Sequence, residues 1–447
     1  RDVLSQPALL IGIMSCIGLI ALKRPFHKIM TGTLKPILGY LMLAAGAGVI
    51  VSNLDPLGKM IEHGFHITGV VPNNEAIVAV AQKVLGVETM SILVVGLLMN
   101  LCIARFTKFK YVFLTGHHSL FMACLMSAVL GTAGLSGMEL ILVGGFLMGA
   151  WSAISPAIGQ SYTSKVTDGD EIAIGHFGSL GYYLSAWVAK YVGKAEDSTE
   201  DIEIPEKWGF LRDSTLSTAL TMIVFYLIAA FAAGSEFVAT LSGDMSPYLY
   251  AVMSAMNFAV GVTIVYSGVR MILGDLIPAF QGIATKIIPN AIPAVDCAVF
   301  FTYAPTAVVL GFLSSFIGGI IGMLILGAVG GVLIIPGLVP HFFCGATAGI
   351  YGNATGGRRG AAVGAFLNGL AITFLPALAL PVLGQLGFQN TTFGDADFAV
   401  MGLVLGNAYE WVGMAGIYGI VAIAALVLIV PNFIKTKGKV INYVEED

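Results

Sequence analysis

Charged residues are scarce in this 447-residue chain. Lys and Arg number 22 and Asp and Glu number 26, which is 11% of the chain, against about 25% in typical soluble domains. This scarcity excludes an ordinary soluble enzyme and a disordered protein, and the formal net charge of −4 leaves no basic surface for a nucleic-acid partner. Because 57% of the residues are hydrophobic and 56 are Gly, which allows close helix packing in lipid, the composition predicts a polytopic membrane protein.

Cysteine is also scarce, and the five Cys residues form no CxxC pair, which excludes a disulfide framework or a cysteine-rich metal cluster. The GxxxxGK[ST], GxSxG and HExxH motifs are missing as well. We therefore expect no cofactor, no metal site and no nucleotide-driven step in this chain. No basic segment precedes the first apolar run, so we also expect no cleaved signal peptide.

Long apolar runs dominate the chain instead. A membrane-spanning helix needs roughly 20 mostly apolar residues, and we predict about eleven such helices, with a long polar loop after the fifth. They cover residues 7–22, 37–51, 91–104, 111–131, 140–158, 218–233, 248–266, 306–326, 327–343, 361–383 and 412–430. The apolar region 268–303 is interrupted by prolines, so we expect broken segments there that are covered by protein, because free backbone groups cannot face lipid.

The Lys and Arg residues indicate an orientation. They cluster after the first, third and last predicted helices and in the long polar loop. The positive-inside rule then predicts a periplasmic N-terminus and a cytoplasmic C-terminus. The octamer 32–39 resembles the octamer 267–274, which hints at two repeats. An odd number of spans in each would invert the second copy, as in transporters with broken helices.

Two histidines that follow glycines are candidate functional groups, because polar side chains inside a membrane are costly. His117 lies in LTGHH and His176 in VTDGDEIAIGH. Imidazole both donates and accepts hydrogen bonds, which suits a hydroxyl-rich ligand. We predict that the two face one polar cavity, with a smaller role for His118, since adjacent helical residues face different ways. The alternative is a structural hydrogen bond between helices.

Acidic residues in apolar surroundings are the second kind of candidate. Asp296 could accept hydrogen bonds from a polyol, hold a cation or relay a proton. Its structural alternatives are a helix N-cap or an ion pair with Arg270 or Lys286. Glu75, next to Asn74, is the parallel case in the first half, although Asn-Asn-Glu is also typical of a plain helix start.

Two polar segments have simpler interpretations. Six acidic residues lie between positions 196 and 206. We predict a solvated loop there, with docking of a soluble partner as the alternative. The glycine-rich segment 352–360 could resemble a phosphate cradle, but its place between two apolar runs favours a tight interhelical turn.

Four long segments resemble one known family. They are residues 114–118, 166–176, 268–312 and 333–343. In order and spacing they look like the ascorbate-specific IIC component of the bacterial phosphotransferase system, over nearly the whole chain. The resemblance implies an all-α polytopic inner-membrane protein with eleven transmembrane helices, re-entrant or broken helices, an inverted repeat and a homodimeric assembly. Its core domain would move substrate as an elevator against a scaffold of V-shaped helix pairs (V motifs).

The resemblance also implies domain boundaries. The first V motif would span 1–56, the first half of the core 57–214, the second V motif 215–273 and the second half of the core 274–395. The last transmembrane helix and a cytoplasmic tail would occupy 396–447.

The implied function is uptake of L-ascorbate from the periplasm. The substrate would be phosphorylated on delivery by a separate phospho-IIB protein, so this chain would be a non-catalytic permease subunit. Ligand contacts of the family match His117, His176 and Asp296 here.

Other family contacts differ in this sequence. A Gln four residues after the first His is Phe121, a Gln directly after the second is Phe177, and a Thr-Tyr pair is Asn74-Glu75. We still predict that these four positions line the pocket. A Glu repels an anionic sugar acid, and two phenyl rings remove hydrogen-bonding amides.

Three other functions therefore stay open. They are an ion-coupled secondary transporter that uses Asp296 or Glu75, a passive channel, and a phosphotransferase permease for a different polyol or sugar acid.

Overall fold

A computed structural model describes residues 7–66, 69–72, 74–202, 214–384 and 391–434. This part of the chain is mainly helical, with a few very short parallel strands. The helices are α1 (Pro7–Ala21), α2 (Phe26–Gly64), α3 (Asn74–Phe106), α4 (Gly116–Thr132), α5 (Gly137–Thr167), α6 (Ser179–Val192), α7 (Ser214–Ala233), α8 (Ser235–Ser242), α9 (Pro247–Lys286), α10 (Pro305–Ala328), α11 (Leu338–Gly384), α12 (Ala396–Val412) and α13 (Met414–Ile429). The strands are β1 (Val71–Pro72), β2 (Tyr111–Phe113), β3 (Ala173–Ile174), β4 (Ile292–Val295) and β5 (Thr391–Thr392).

The described helices confirm an all-α polytopic membrane protein. Seven of them are long and apolar enough to cross a membrane, and the sharply bent pair α7 and α8 would make an eighth. The seven are α2, α3, α5, α9, α10, α11 and α13. The total of eleven crossings stays a prediction, because α1, α4 and α12 are shorter than a full span.

The predicted span 327–343 is wrong. Helix α10 ends at Ala328, and α11 begins only at Leu338. Between them, Gly330 has a φ of +72°, a left-handed conformation that ends helices, and Pro336 cannot donate a backbone hydrogen bond. The segment is apolar but not helical, so hydropathy without periodicity does not distinguish it from a helix.

The predicted span 111–131 is divided into two elements. Strand β2 occupies its first residues, and α4 begins at Gly116. Conversely, α6 and α12 lie outside the predicted spans, and α6 falls in the segment interpreted as a long polar loop. Both helices are short, at 14 and 17 residues, so a search for runs of about 20 apolar residues misses them.

Helices α2 and α9 are far apart in the sequence but pack against each other and run in opposite directions. A Cβ at Gly39 would lie 2.8 Å from the carbonyl oxygen of Gly268, and one at Gly46 would lie 2.7 Å from that of Gly261. These glycines therefore let the two backbones touch. The matching octamers 32–39 and 267–274 lie on these antiparallel helices, an arrangement that inverted copies would have.

The predicted domain boundaries do not all fall between elements. The boundary at 56/57 lies inside α2, and the boundary at 273/274 lies inside α9. Both helices continue through these points, so each joins the predicted scaffold to the predicted core. Near the boundary at 395/396, α12 packs on α4, α6 and α11, which associates it with the core.

The acidic residues of this segment that the structure describes are exposed and lie in a loop, as predicted, and Glu200 also anchors that loop to α10. The Glu200 carboxylate accepts hydrogen bonds from the backbone N–H groups of Thr306 at 3.0 Å and Ala307 at 3.1 Å. A carboxylate at this position stabilises the N-terminus of α10. Residues 203–206 lie outside the described part of the chain.

The glycine-rich segment 352–360 forms a tight turn between two helical parts of α11, as predicted: Gly356 and Gly357 are non-helical, and a Cβ at Gly352 would collide with the carbonyl oxygen of Gly360. Gly357 has a φ of +59°, and the next residue, Arg358, donates its N–H to the Asp197 carbonyl at 2.8 Å. A backbone hydrogen bond therefore joins this turn to the acidic segment.

Candidate functional site

A cavity of about 1280 Å³ lies between α2 and the elements packed around the short strands. Its wall on the α2 side is mostly apolar. Its opposite wall gathers polar side chains from distant parts of the sequence, namely Asn74, His117, His118, His176, Asp296 and Asp395. The mixture of apolar walls and a few convergent polar groups is typical of a small-molecule site, and this cavity is larger than most such sites.

A three-stranded parallel sheet brings these polar side chains together. The strand order is β2-β4-β3, with Phe113 opposite Ala294 and Ile174 opposite Val295. Because all three strands run the same way, the residues that follow them emerge at one edge of the sheet. Those residues are the Gly-His-His segment after β2, Asp296 after β4 and Gly175-His176 after β3.

Glycine is required beside the central strand of this sheet. The Gly175 N–H donates to the Val295 carbonyl at 2.7 Å. A Cβ at Gly175 would collide with the carbonyl group of Ala294. The Gly of the IGH motif therefore lets the backbone come close enough to aim His176 at the cavity.

His117 lies in the first turn of α4, within the predicted span 111–131 and directly after the glycine that begins the helix. Its Nδ1 is 3.1 Å from the Tyr40 hydroxyl on α2. Its Nε2 is 3.3 Å from a carboxylate oxygen of Asp296. His117 thus connects the two walls of the cavity, and 38% of its side chain is exposed there.

Asp296 has both a structural and a site-facing contact. Its Oδ1 accepts the Ala298 N–H at 3.1 Å and caps the 3₁₀ helix Cys297–Thr302, as one of the sequence-based alternatives predicted. Its Oδ2 faces His117. The alternative ion pairs with Arg270 or Lys286 are wrong, since within the described ranges the ionic partner of Asp296 is this histidine.

His118 and His176 pack against each other at the back of the cavity, with their ring planes tilted by 46°. Their ring centroids are 3.8 Å apart, and the two residues are 3% and 4% exposed. His176 Nδ1 accepts the Gly178 N–H at 3.2 Å and contacts the Tyr182 hydroxyl at 2.8 Å. A smaller role for His118 stays a prediction, but the structure places both His117 and His118 at the cavity, because the first turn of a helix can present adjacent residues to one site.

Asn74 and Asp395 join the two halves of the chain at the cavity. The Asn74 amide donates to Asp395 at 2.6 Å and accepts the Gly394 N–H at 2.9 Å. The Cys344 thiol donates to the other Asp395 oxygen at 2.7 Å. The side chain of Glu75, predicted as a site residue, lies outside the described part of the structure.

Asp395 was missed in the sequence analysis. It belongs to the segment Gly-Asp-Ala-Asp at 394–397, which carries two acids between apolar stretches. That pattern was the available signal, and it is the same signal that identified Asp296. Tyr40 offered none, because a tyrosine in a long apolar helix reads as a packing residue.

The two predicted phenylalanine contacts have different surroundings. Phe121 lines the cavity. Phe177 does not: its ring is fully buried and stacks on Phe113 with centroids 4.6 Å apart. Only its backbone N–H is directed to the site, where it donates to His118 Nδ1 at 3.3 Å.

Replacing each phenylalanine with glutamine is expected to lower the free energy of unfolding by different amounts. Phe177→Gln should lower the free energy of unfolding by roughly 3 kcal/mol or more, because it buries an unpaired amide and removes aromatic packing. Phe121→Gln should cost less, since its amide can reach the cavity. Thermal unfolding of the two purified variants tests this, and equal losses would contradict the placement of Phe177.

Two groups of side chains at the site have the composition of a metal centre. They are His118 with His176 and Asp395, and His176 with Asp296 and Cys297, and within each group one candidate ligand atom per residue lies within 4.8 Å of the others. However, Nδ1 of both His118 and His176 accepts a backbone N–H. The remaining Nε2 of a neutral imidazole then carries the proton and offers no lone pair, so the hydrogen bonds oppose metal binding.

Comparison with known proteins agrees with the membrane fold. Residues 2–397 match the family model of the PTS system sugar-specific permease component, EIIC-GAT. The chain is similar to the ascorbate-specific PTS system EIIC component of Mycoplasma pneumoniae, with 28% identity over 412 residues. The match covers 78% of this chain and 61% of that relative, so the chain spans less than two thirds of the relative's length.

The match to the family model runs through most of the chain and includes every described element from α1 to β5. It also contains all the polar side chains that converge on the cavity. The protein therefore belongs to the PTS sugar-specific permease family, EIIC-GAT.

Proposed function

We propose that this protein is the membrane permease subunit of a phosphotransferase system and takes up L-ascorbate. The single observation that carries the proposal is the convergence of His117, His176 and Asp296 at one cavity, in a chain of the sugar-permease family. These side chains would hydrogen-bond to the ring and side-chain oxygens of the substrate. The name of the relative from Mycoplasma pneumoniae supports ascorbate as the substrate.

The chemistry of uptake would then be divided between two proteins. This chain would bind and move the substrate, and a separate phospho-IIB protein at the cytoplasmic face would supply the phosphoryl group. Phosphorylation adds charge to the product, which prevents its return through the membrane. The distribution of Lys and Arg supports the orientation in which the N-terminus is periplasmic and the C-terminus cytoplasmic.

The transport movement would be of the elevator type within a homodimer, as in the resembling family. The position of the cavity supports this, because its apolar wall is α2 and its polar wall belongs to the strand ends. Sliding the polar wall past α2 would break the contact between Tyr40 and His117. That contact is one hydrogen bond, which costs about 0.5–1.5 kcal/mol.

A phosphotransferase permease for a different polyol is the second candidate function. The observation that favours it is the acidic lining of the cavity, since Asp296 and Asp395 both face it. Two carboxylates disfavour an anionic sugar acid unless the hydrogen-bond donors around them compensate. A neutral polyol would meet no such repulsion.

Calorimetric titration of the detergent-purified protein tests the proposal. The ligands would be L-ascorbate and a panel of pentitols and sugar acids. We expect saturable binding of L-ascorbate alone. Saturable binding of a pentitol, with no heat from ascorbate, would overturn the substrate and leave the phosphotransferase function.

Uptake in cells tests the energy source. Uptake should require phosphoenolpyruvate and survive an ionophore. Uptake that collapses with the ionophore but persists without phosphoenolpyruvate would replace the proposal with ion-coupled transport. Flux that never saturates would indicate a channel.

A further inference from the structure

His118 and His176 each accept a backbone N–H at Nδ1, and the Tyr182 hydroxyl also contacts His176 Nδ1 at 2.8 Å. The Phe177 N–H donates to His118 Nδ1 at 3.3 Å, and the Gly178 N–H donates to His176 Nδ1 at 3.2 Å. The donors are consecutive residues of one segment that follows β3. One turn of backbone therefore sets the hydrogen bonding of both rings.

These bonds determine where the imidazole protons are. A backbone N–H is a donor only, so the nitrogen that faces it must be an acceptor without a proton. A neutral imidazole carries one N–H, which places it on Nε2 in both His118 and His176. A doubly protonated ring would put two N–H groups against each other, so the same geometry excludes the imidazolium form.

His117 differs from this pair in how its Nε2 is used. Its Nε2 already faces the Asp296 carboxylate at 3.3 Å. Among the residues that the structure describes, Nε2 of His118 and Nε2 of His176 have no such acceptor. Both rings nevertheless line the cavity, so their N–H groups are left for a ligand.

We propose that His118 and His176 are a fixed pair of N–H donors that binds a hydrogen-bond acceptor oxygen of the substrate. His118 is thereby a further specificity-determining residue. This inference rests on the proposed transport of a small oxygen-rich molecule and adds the chemical class of the group that is recognised. That group is a carbonyl, an ionised enediol or an ether or hydroxyl oxygen that accepts, and not a cation or an ammonium group.

Asp395, which also lines the cavity, offers an acceptor for a substrate hydroxyl. One oxygen of Asp395 accepts the Asn74 amide and the other accepts the Cys344 thiol. A carboxylate oxygen has a further lone pair, so Asp395 can also accept a substrate hydroxyl. An acceptor oxygen beside a hydroxyl on the same molecule would therefore fit the donor pair and the acid together.

The proton positions can be measured without any substrate. ¹⁵N NMR of the ligand-free, histidine-labelled protein distinguishes Nε2–H from Nδ1–H imidazoles. The signals of the two residues are assigned by their disappearance in His118→Asn and His176→Asn. We expect Nε2–H for both, and an Nδ1–H imidazole or an imidazolium at either position at neutral pH would overturn the inference.

A matched pair of substitutions tests the donor role of His118. Asparagine places its amide near the Nδ1 position, so it keeps an acceptor for the Phe177 N–H but removes the cavity donor. Glutamine places its amide near Nε2 and keeps the donor. L-ascorbate should bind His118→Asn about tenfold more weakly, the cost of one lost hydrogen bond, and His118→Gln should recover most of that loss.

The matched control is His341→Asn, which changes a buried histidine that hydrogen-bonds to Ser315 outside the cavity. Its affinity for L-ascorbate should equal that of the unaltered protein. If His118→Asn also binds with unaltered affinity, the donor role is wrong. If another member of the panel is the true ligand, the same variants are measured with that compound, so failure of the substrate and failure of the donor pair remain distinguishable.

Zinc binding is an independent test, in which the proposal predicts that no site forms. A metal ion needs a free lone pair on Nε2, and the proposed tautomers have none. Titration of the protein with ZnCl₂ should show no saturable site that depends on His118. Saturable zinc binding that disappears in His118→Asn would replace the donor pair with a metal site.

Discussion

Asp296→Asn is expected to weaken L-ascorbate binding by about 10- to 100-fold. Hydrogen bonds to a charged group contribute roughly 1.5–3 kcal/mol, about twice the value for neutral groups. The substitution removes the charge that faces His117. Asparagine is also a good N-cap, so it can still accept the Ala298 N–H and hold the 3₁₀ helix.

This separation of roles makes the asparagine variant more informative than Asp296→Ala. Alanine removes the cap and the charge together, so a loss of binding could come from local unfolding. Calorimetry with L-ascorbate on both variants gives the comparison. The control is Asp275→Asn, which changes an acid that pairs with Lys35 at 3.6 Å; its affinity should be unaltered. Full affinity in Asp296→Asn would remove Asp296 from the proposed binding site.

Asp397→Ala is expected to lower the free energy of unfolding by roughly 3–5 kcal/mol. Asp397 is fully buried and accepts three hydrogen bonds. They come from the Leu180 N–H at 2.9 Å, the Ser179 hydroxyl at 2.8 Å and the Trp151 indole N–H at 3.2 Å. Alanine would leave all three donors without this partner, the Ser179 hydroxyl fully buried and the other two partly buried, and a buried donor left unpaired costs about 1–3 kcal/mol.

The same substitution should disturb the candidate site. The Asp397 N–H donates to the Phe177 carbonyl at 2.9 Å, and its carboxylate holds the first residues of α6. The segment between β3 and α6, which carries His176, is therefore anchored to the start of α12. We expect weaker ligand binding in the fraction that still folds.

Unfolding in SDS and thermal denaturation of the purified protein measure the loss. The control is Asp244→Ala, an exposed acid in the turn between α8 and α9, for which a change within about 0.5 kcal/mol is expected. If Asp397→Ala is as stable as this control, the buried hydrogen bonds of Asp397 contribute little to stability.

The class of the protein and its candidate polar residues could be predicted from local sequence. Membrane spans depend on apolar length, which is a property of consecutive residues, so most of the predicted runs coincide with helices. His117, His176 and Asp296 could be selected because a polar group in an apolar run is costly wherever it lies. The family resemblance added the expectation that they share a site, and the structure does bring them to one cavity.

The predicted spans were wrong where an apolar segment does not form a helix. Residues 329–337 are apolar but not helical, because Gly330 and Pro336 oppose a helix. Strand β2 is apolar and pairs with β4, whose partner residues are 181 positions away. Pairing at that distance depends on which elements pack together, and no local pattern contains it.

The sequence by itself therefore determined a helical membrane protein of a sugar-permease family with costly polar groups at known positions. The tertiary structure alone decided that three parallel strands end at one edge, so that His118 joins His176 and Asp395 joins Asn74 in the same cavity. It also decided that Phe177 is excluded from that cavity and that two backbone N–H groups orient the imidazoles. The physical reason is that hydrogen bonds and burial depend on neighbours in space, which the fold assembles from segments more than 200 residues apart in the chain.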